Sequence, residues 1–122
     1  MIQFKLSSEQ KLIQESTKEF AQQYISPGVI DRDQKSTFPK SQIRKLGELG
    51  YMGMMIPSKW GGSELDTISY VIAIEEIAAV ELATSTIMSV NNSLVCQVLN
   101  DFGNEEQKGK YLKSLASGKK LG

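Results

Sequence analysis

The chain is 122 residues long, enough for one domain with a real hydrophobic core. Fourteen Lys and Arg balance fourteen Asp and Glu, so no net field draws in nucleic acid or an anionic membrane. Histidine is absent and Cys96 is the single cysteine, which removes the commonest general base and leaves no means of building a disulfide or a zinc site.

An apolar content of 40% and a charged content of 23% are those of an ordinary globular protein. No apolar run approaches the roughly 18 residues needed to span a bilayer, so membrane insertion is not expected. The opening MIQFKLSSEQKL lacks a basic start followed by an apolar stretch, so it does not read as a secretory signal. Cys96, within Leu94-Val95-Cys96, reads as an inert core thiol in a reducing compartment. The cytoplasm is expected, or the mitochondrial matrix for a mature eukaryotic chain.

The first helix follows Ser7 and Ser8, with Ser7 and Gln10 spaced as a capping box. It carries Leu12, Ile13, Phe20 and Tyr24; Ile13, Phe20 and Tyr24 fall on one face, and Ser26-Pro27-Gly28 ends the helix near Ile25. Val29 to about Gln34 is a short, weakly patterned helical segment. Phe38-Pro39 opens the next helix with Pro39 at the first helical position. Ile43, Leu46 and Leu49 form its apolar side, and Gly50 sits where a left-handed cap belongs. Tyr51 to Pro57 reads as an extended, buried connector, and Ser58 to Glu64 as a loop.

Asp66 or Thr67 caps a helix whose apolar residues, from Ile68 to Val80, point almost all round, which predicts a central, buried position. Thr84 or Ser85 caps the next, carrying Ile87, Met88, Val90, Leu94, Val95, Val98, Leu99 and Phe102, with Gly103 as C-cap. Asn104 caps the last helix with Gln107 in the answering position; Tyr111, Leu112 and Leu115 face inward and Gly118 ends it. No strand alternation of useful length appears. The expected fold is all-α: an up-and-down bundle of five or six helices.

Chemistry is sparse. Gly61-Gly62 completes neither the Walker pattern nor G-x-G-x-x-G and reads as a tight turn. Glu75 and Glu76 are adjacent on a helix, about 100° apart, so they do not converge as an acid–base pair. The informative spot is Asn91-Asn92-Ser93, three polar residues in mid-helix between apolar runs. Buried without partners, each would cost about 1–3 kcal/mol. Two readings stand: a wetter flank with local hydrogen bonds to backbone, or the border of a cavity.

Four stretches, in order, resemble one family. Leu46-Gly47-Glu48-Leu49-Gly50-Tyr51-Met52-Gly53 with Ile56-Pro57 resembles the acyl-CoA dehydrogenase pattern L-x-E-L-G-x-x-G-x-x-x-P. Trp60-Gly61-Gly62-Ser63-Glu64-Leu65-Asp66 resembles its aromatic-G-G-x-G-L-D turn, with Glu64 where glycine is usual and Trp60 where tyrosine is common. Ile74-Glu75-Glu76-Ile77-Ala78 is similar to its E-E-L-A helix. Phe102 to Lys108 with Tyr111-Leu112 and Leu115-Ala116-Ser117-Gly118 resembles its G-x-x-E-Q-K-x-x-Y-L-x-x-L-A-x-G ending. Ile87 to Leu94, reading IMSVNNSL, resembles the short-chain, butyryl-CoA-type members.

The resemblance covers nearly the whole chain and implies that residues 1–122 are the family's N-terminal helical domain, the flavin-binding β-domain and C-terminal helical domain lying beyond. It implies that Val90, Asn91 and Leu94 approach the acyl chain, and raises the cavity reading of the polar turn above the other. For the intact protein it implies FAD-dependent α,β-dehydrogenation of a short-chain acyl-CoA, as in fatty-acid β-oxidation, in a homo-oligomer that passes electrons to an electron-transfer flavoprotein. The first, third and fourth helices are the implied docking surface. No catalytic or flavin-binding residue is expected within this chain, and no bound FAD. The alternative is a standalone helical protein-interaction module without redox activity.

Overall fold

The computed structural model describes residues 4–122. Met1 to Gln3, the start of the stretch read above for a leader, lie outside them. The described residues form helices and connecting turns with no strand among them, and none of their helices is long and apolar enough to cross a membrane.

Six helical rods follow one another. The first is α1 (Ser8–Phe20), capped by the Ser7/Gln10 box and running on through a π-turn (Ala21–Ile25). The short α2 (Val29–Lys35) comes next, then α3 (Lys40–Glu48). Beyond the connector and a 3₁₀ turn (Ser58–Trp60) lies α4 (Thr67–Ala78). The fifth rod is α5 (Leu82–Ser89), a π-turn (Val90–Cys96) and α6 (Gln97–Phe102) without a break. The sixth is α7 (Glu105–Gln107), a π-turn (Lys108–Leu112) and α8 (Lys113–Ala116), opened by the Asn104/Gln107 box.

Helix α4 lies between α1 and α5, and its buried Tyr70, Ala73 and Ile77 join Phe20, Ile25, Leu46 and Met88 in the main core. Ile56, Cys96, Leu112 and Ala116 form a second cluster under α6 and α8. The 51–56 connector links the two, giving Met52 and Met54 to the first and Ile56 to the second. Its backbone approaches α8 so closely that a Cβ on Gly53 would meet the Ala116 backbone oxygen at 2.7 Å. Thr17 and Tyr51 share a buried hydroxyl–hydroxyl bond of 2.9 Å that ties α1 to the connector.

Several expectations need correction. The connector is buried but not extended: it folds through successive turns, with the Ile56 N–H donating to the Gly53 carbonyl. Helix α5 starts at Leu82, two residues before Thr84, with Glu81 at the N-cap. Thr84 and Ser85 lie inside it, their hydroxyls donating to the Glu81 carboxylate and the Leu82 carbonyl. Pro39 is the N-cap of α3 rather than its first residue. Gly103 ends α6 in extended backbone (φ −74°, ψ 148°), because the chain must run straight into the Asn104 cap. Helix α4 is central but not wrapped: Ile68 and Val71 face outward, as do Leu12, Leu49 and Tyr111. Gly50 is left-handed as expected, and Gly118, which ends the last helix, is left-handed too.

Candidate functional site

The Asn91-Asn92-Ser93 turn lies in the π-turn of the long rod, where a widened turn replaces regular α geometry. Both asparagines are fully buried, so the wetter-flank reading does not describe them. Their carboxamides serve as partners for a stretch of backbone that has no helix to satisfy it. Asn92 Nδ2 donates to the carbonyls of Tyr51 (2.8 Å) and Met88 (2.9 Å), and the Met54 N–H donates to Asn92 Oδ1 at 2.7 Å. Asn91 Nδ2 donates to the Met52 (2.8 Å) and Leu115 (3.1 Å) carbonyls, and the Gly122 N–H donates to Asn91 Oδ1 at 3.0 Å. No buried side-chain nitrogen or oxygen among the described residues lacks a partner. Ser93, half-buried, shares a 2.7 Å bond with the Tyr70 hydroxyl on α4.

Away from the asparagines the same rod shows an apolar stripe. Val90 is half-buried, while Leu94, Val98 and Phe102 are 67%, 49% and 84% exposed. Residues four apart share a helix face, so the four form one line of apolar side chains open to the outside. Sequence reading singled out Val90, Asn91 and Leu94; the structure places Val90 and Leu94 on this line and Asn91 behind it, with its carboxamide in the core. Val98 and Phe102, carried on the same helix, continue the line beyond the residues singled out. The signal that marks them is their four-residue spacing from Leu94.

A groove of about 710 Å³ lies between α2 and the start of α5, with Ile30, Phe38, Leu82 and Ile87 among its walls. Arg32 and Glu81 form an ion pair beside it, at 3.0 Å. Ile87, on the groove wall, stands one turn before Val90.

Elsewhere the chemistry is quiet. Burial pushes the Cys96 thiol up to about 11, which keeps it protonated and unreactive near neutrality. Glu75 is exposed and Glu76 half-buried, with no shared target. No group of three or more potential metal ligands occurs among the described residues. The Gly61-Gly62 turn does not fit a flavin's phosphates. Its N–H groups already donate to the Ser58 and Pro57 carbonyls, and a Cβ on Gly62 would fall 2.0 Å from the Ile56 oxygen, so the turn is packed inward. Glu64, in the position where glycine was expected, adopts φ +51°, and its carboxylate accepts from the Ser58 N–H at 2.8 Å.

Comparison with known proteins places this geometry. Residues 7–119 match the family model "Acyl-CoA dehydrogenase, N-terminal domain". A short-chain-specific acyl-CoA dehydrogenase from Clostridium acetobutylicum is 39% identical over 119 residues, 98% of this chain and 31% of that protein. Butyryl-CoA dehydrogenase from Megasphaera elsdenii superposes with a TM-score of 0.90 at 32% identity, over 98% of this chain and 32% of that one. A chain in the structure of the electron transferring flavoprotein of Acidaminococcus fermentans superposes with a TM-score of 0.94 at 37% identity, again over 98% of this chain and 32% of that one. This chain therefore spans about a third of the length of the proteins it matches, and the interaction-module alternative is not favoured. Matched to the family over residues 7–119, the chain belongs to the acyl-CoA dehydrogenase N-terminal domain family.

Proposed function

We propose that this domain is part of an FAD-dependent dehydrogenase that converts a short-chain acyl-CoA to the trans-2-enoyl-CoA, and that its long fifth rod forms one wall of the acyl pocket. The observation that carries the reading is the outward line Val90, Leu94, Val98 and Phe102, backed by two carboxamides that hold the turn rigid from behind. An apolar wall excludes water from the thioester's hydrocarbon part and strengthens electrostatic interactions at the reacting carbons. In this arrangement Val90 and Leu94 touch the acyl chain, and Asn91 supports them from the core side.

FAD, when bound in the whole enzyme, accepts the hydride; the catalytic base and the flavin contacts come from outside the described residues. The short-chain preference is supported by the likeness to the Clostridium and Megasphaera proteins. An electron-transfer flavoprotein is the proposed electron acceptor, supported by the Acidaminococcus likeness. The enzyme is proposed to be a homo-oligomer.

The test is to express the full reading frame to which this segment belongs and add butyryl-CoA without oxygen. The expected protein is yellow and bleaches within the mixing time. A colourless protein, or a flavin that stays oxidised with every acyl-CoA from four to sixteen carbons, would sink the proposal.

A further inference from the structure

We infer that Asn91 is a positioning residue that couples the acyl-facing turn to the 118–122 segment after the last helix. The inference rests on the acyl-pocket reading of Val90 and Leu94, but its test needs no substrate, so the two can fail separately.

Adjacent residues of an α-helix point about 100° apart and do not ordinarily bury side by side against one strip of backbone. Asn91 and Asn92 do, within the widened π-turn, and they divide the work. Every partner of Asn92 belongs to the connector or to its own rod: Tyr51, Met54 and Met88. Asn91 has one partner in its own rod, Cys96 Sγ at 3.7 Å, and three beyond it: Met52 in the connector, Leu115 in α8 and Gly122 after that helix. Only Asn91 of the two reaches the segment that follows the last helix.

That segment is itself tightly held. The Gly118 N–H donates to the Leu115 carbonyl, which also accepts from Asn91, and the Lys120 N–H donates to the Ser114 carbonyl. Gly118 approaches α3 so closely that a Cβ there would lie 2.6 Å from the Gly47 Cα. At Gly122 a Cβ would lie 2.5 Å from Val95 Cγ1, so the backbone lies flat against the π-turn. One carboxamide thus joins the inner side of the turn to this segment, while Val90 and Leu94 stand on the outer side. A helical turn moves as a unit, so the projection of Val90 and Leu94 depends on what Asn91 holds. In a longer parent of the kind proposed above, the segment hands the chain to the next domain, and Asn91 sets the height of the pocket wall relative to it.

The experiment is methyl and amide NMR with hydrogen exchange on the 122-residue chain, comparing wild type, Asn91→Ala, Asn92→Ala and a chain ending at Leu121. In Asn91→Ala the Gly122 amide exchanges at least about tenfold faster and the Val90 and Leu94 methyl signals move, while Met54 stays protected. In Asn92→Ala the Met54 amide loses protection, and Val90, Leu94 and Gly122 keep their signals. The chain ending at Leu121 loses the Gly122 donor together with its packing on Val95 and retains every core side chain; its Val90 and Leu94 methyls also move, and the same shortening of Asn91→Ala moves them no further. Should Asn91→Ala fail to fold, the shortened chain decides by those same two methyl signals. The inference is overturned if Val90 and Leu94 stay in place in the shortened chain, or if the two asparagine variants disturb the same set of signals.

Discussion

Arg32 and Glu81, 49 positions apart, meet in a two-pronged ion pair in which Nε donates at 3.0 Å and Nη2 at 3.3 Å to the two carboxylate oxygens. The same guanidinium donates to the carbonyls of Ile25 and Pro27, so one side chain closes the end of the first rod, α2 and the start of α5 together. Both side chains are nearly buried, at 12% and 8% exposure. Removing one partner strands the other charge, so Arg32→Ala is expected to cost about 3–5 kcal/mol, read as a lowered urea midpoint. Arg32→Lys keeps the charge but loses the fork, and should fall between the two. The Arg32→Met, Glu81→Leu double variant should be more stable than Arg32→Ala.

Asp66 caps α4 by accepting from the Ser69 N–H at 2.6 Å, and that backbone bond holds its carboxyl below the ordinary value of 3.8. A folded-state pKa lower than the unfolded one gives stability that is full above the unfolded value and is lost as pH falls through the folded one. Wild type should therefore lose stability on acidification below about 4. Asp66→Asn retains a good cap without the titration, so its stability should be flatter in that range. Thermal melts between pH 2.5 and 6 would show it.

Glu64 offers a test of backbone strain. Its left-handed φ costs a non-glycine residue about 1–2 kcal/mol, and its bonds to Ser58 offset part of that. Glu64→Gly should be within about 0.5 kcal/mol of wild type, since the strain and the bonds to Ser58 are lost together. Glu64→Val loses those bonds and worsens the strain, so its melting temperature should drop clearly below both.

The outward apolar stripe should make the isolated domain sticky. Leu94 and Val98 line one face without a cover among the described residues, so the 122-residue chain should bind a hydrophobic dye and self-associate with rising concentration. Leu94→Lys with Val98→Lys should reduce both effects and leave the helical signal unchanged, as measured by dye fluorescence and sedimentation.

What the sequence showed depended on range. Both capping boxes, Ser7 with Gln10 and Asn104 with Gln107, were legible because each joins residues three apart. Gly50 and Gly118 were legible as helix ends because positive φ leaves a residue-type signature. The start of α5 was misread because Thr84, an ordinary capping residue, is instead bound to Glu81, and Glu81 is placed by Arg32 from 49 positions away. The exposure of Leu94, Val98 and Phe102 was hidden, since an apolar residue carries no mark of which apolar face the core takes. The role of Asn91 and Asn92 needed carbonyls 39 and 41 positions upstream, which no periodicity reports.

The π-turn of the fifth rod acts as a vernier. It accommodates residues 90–96 with more residues per turn than α5 before it or α6 after it, without interrupting the rod. A single-residue deletion there would convert the stretch toward ordinary α geometry, closing the turn with one residue fewer, so the faces downstream would be nearly preserved. Leu99 would stay beside Cys96 and Leu112, and Val98 and Phe102 would stay outside, while the side-by-side burial of Asn91 and Asn92 would be lost. In this rod, therefore, the extra residue serves the asparagine pair rather than the helix on either side of it.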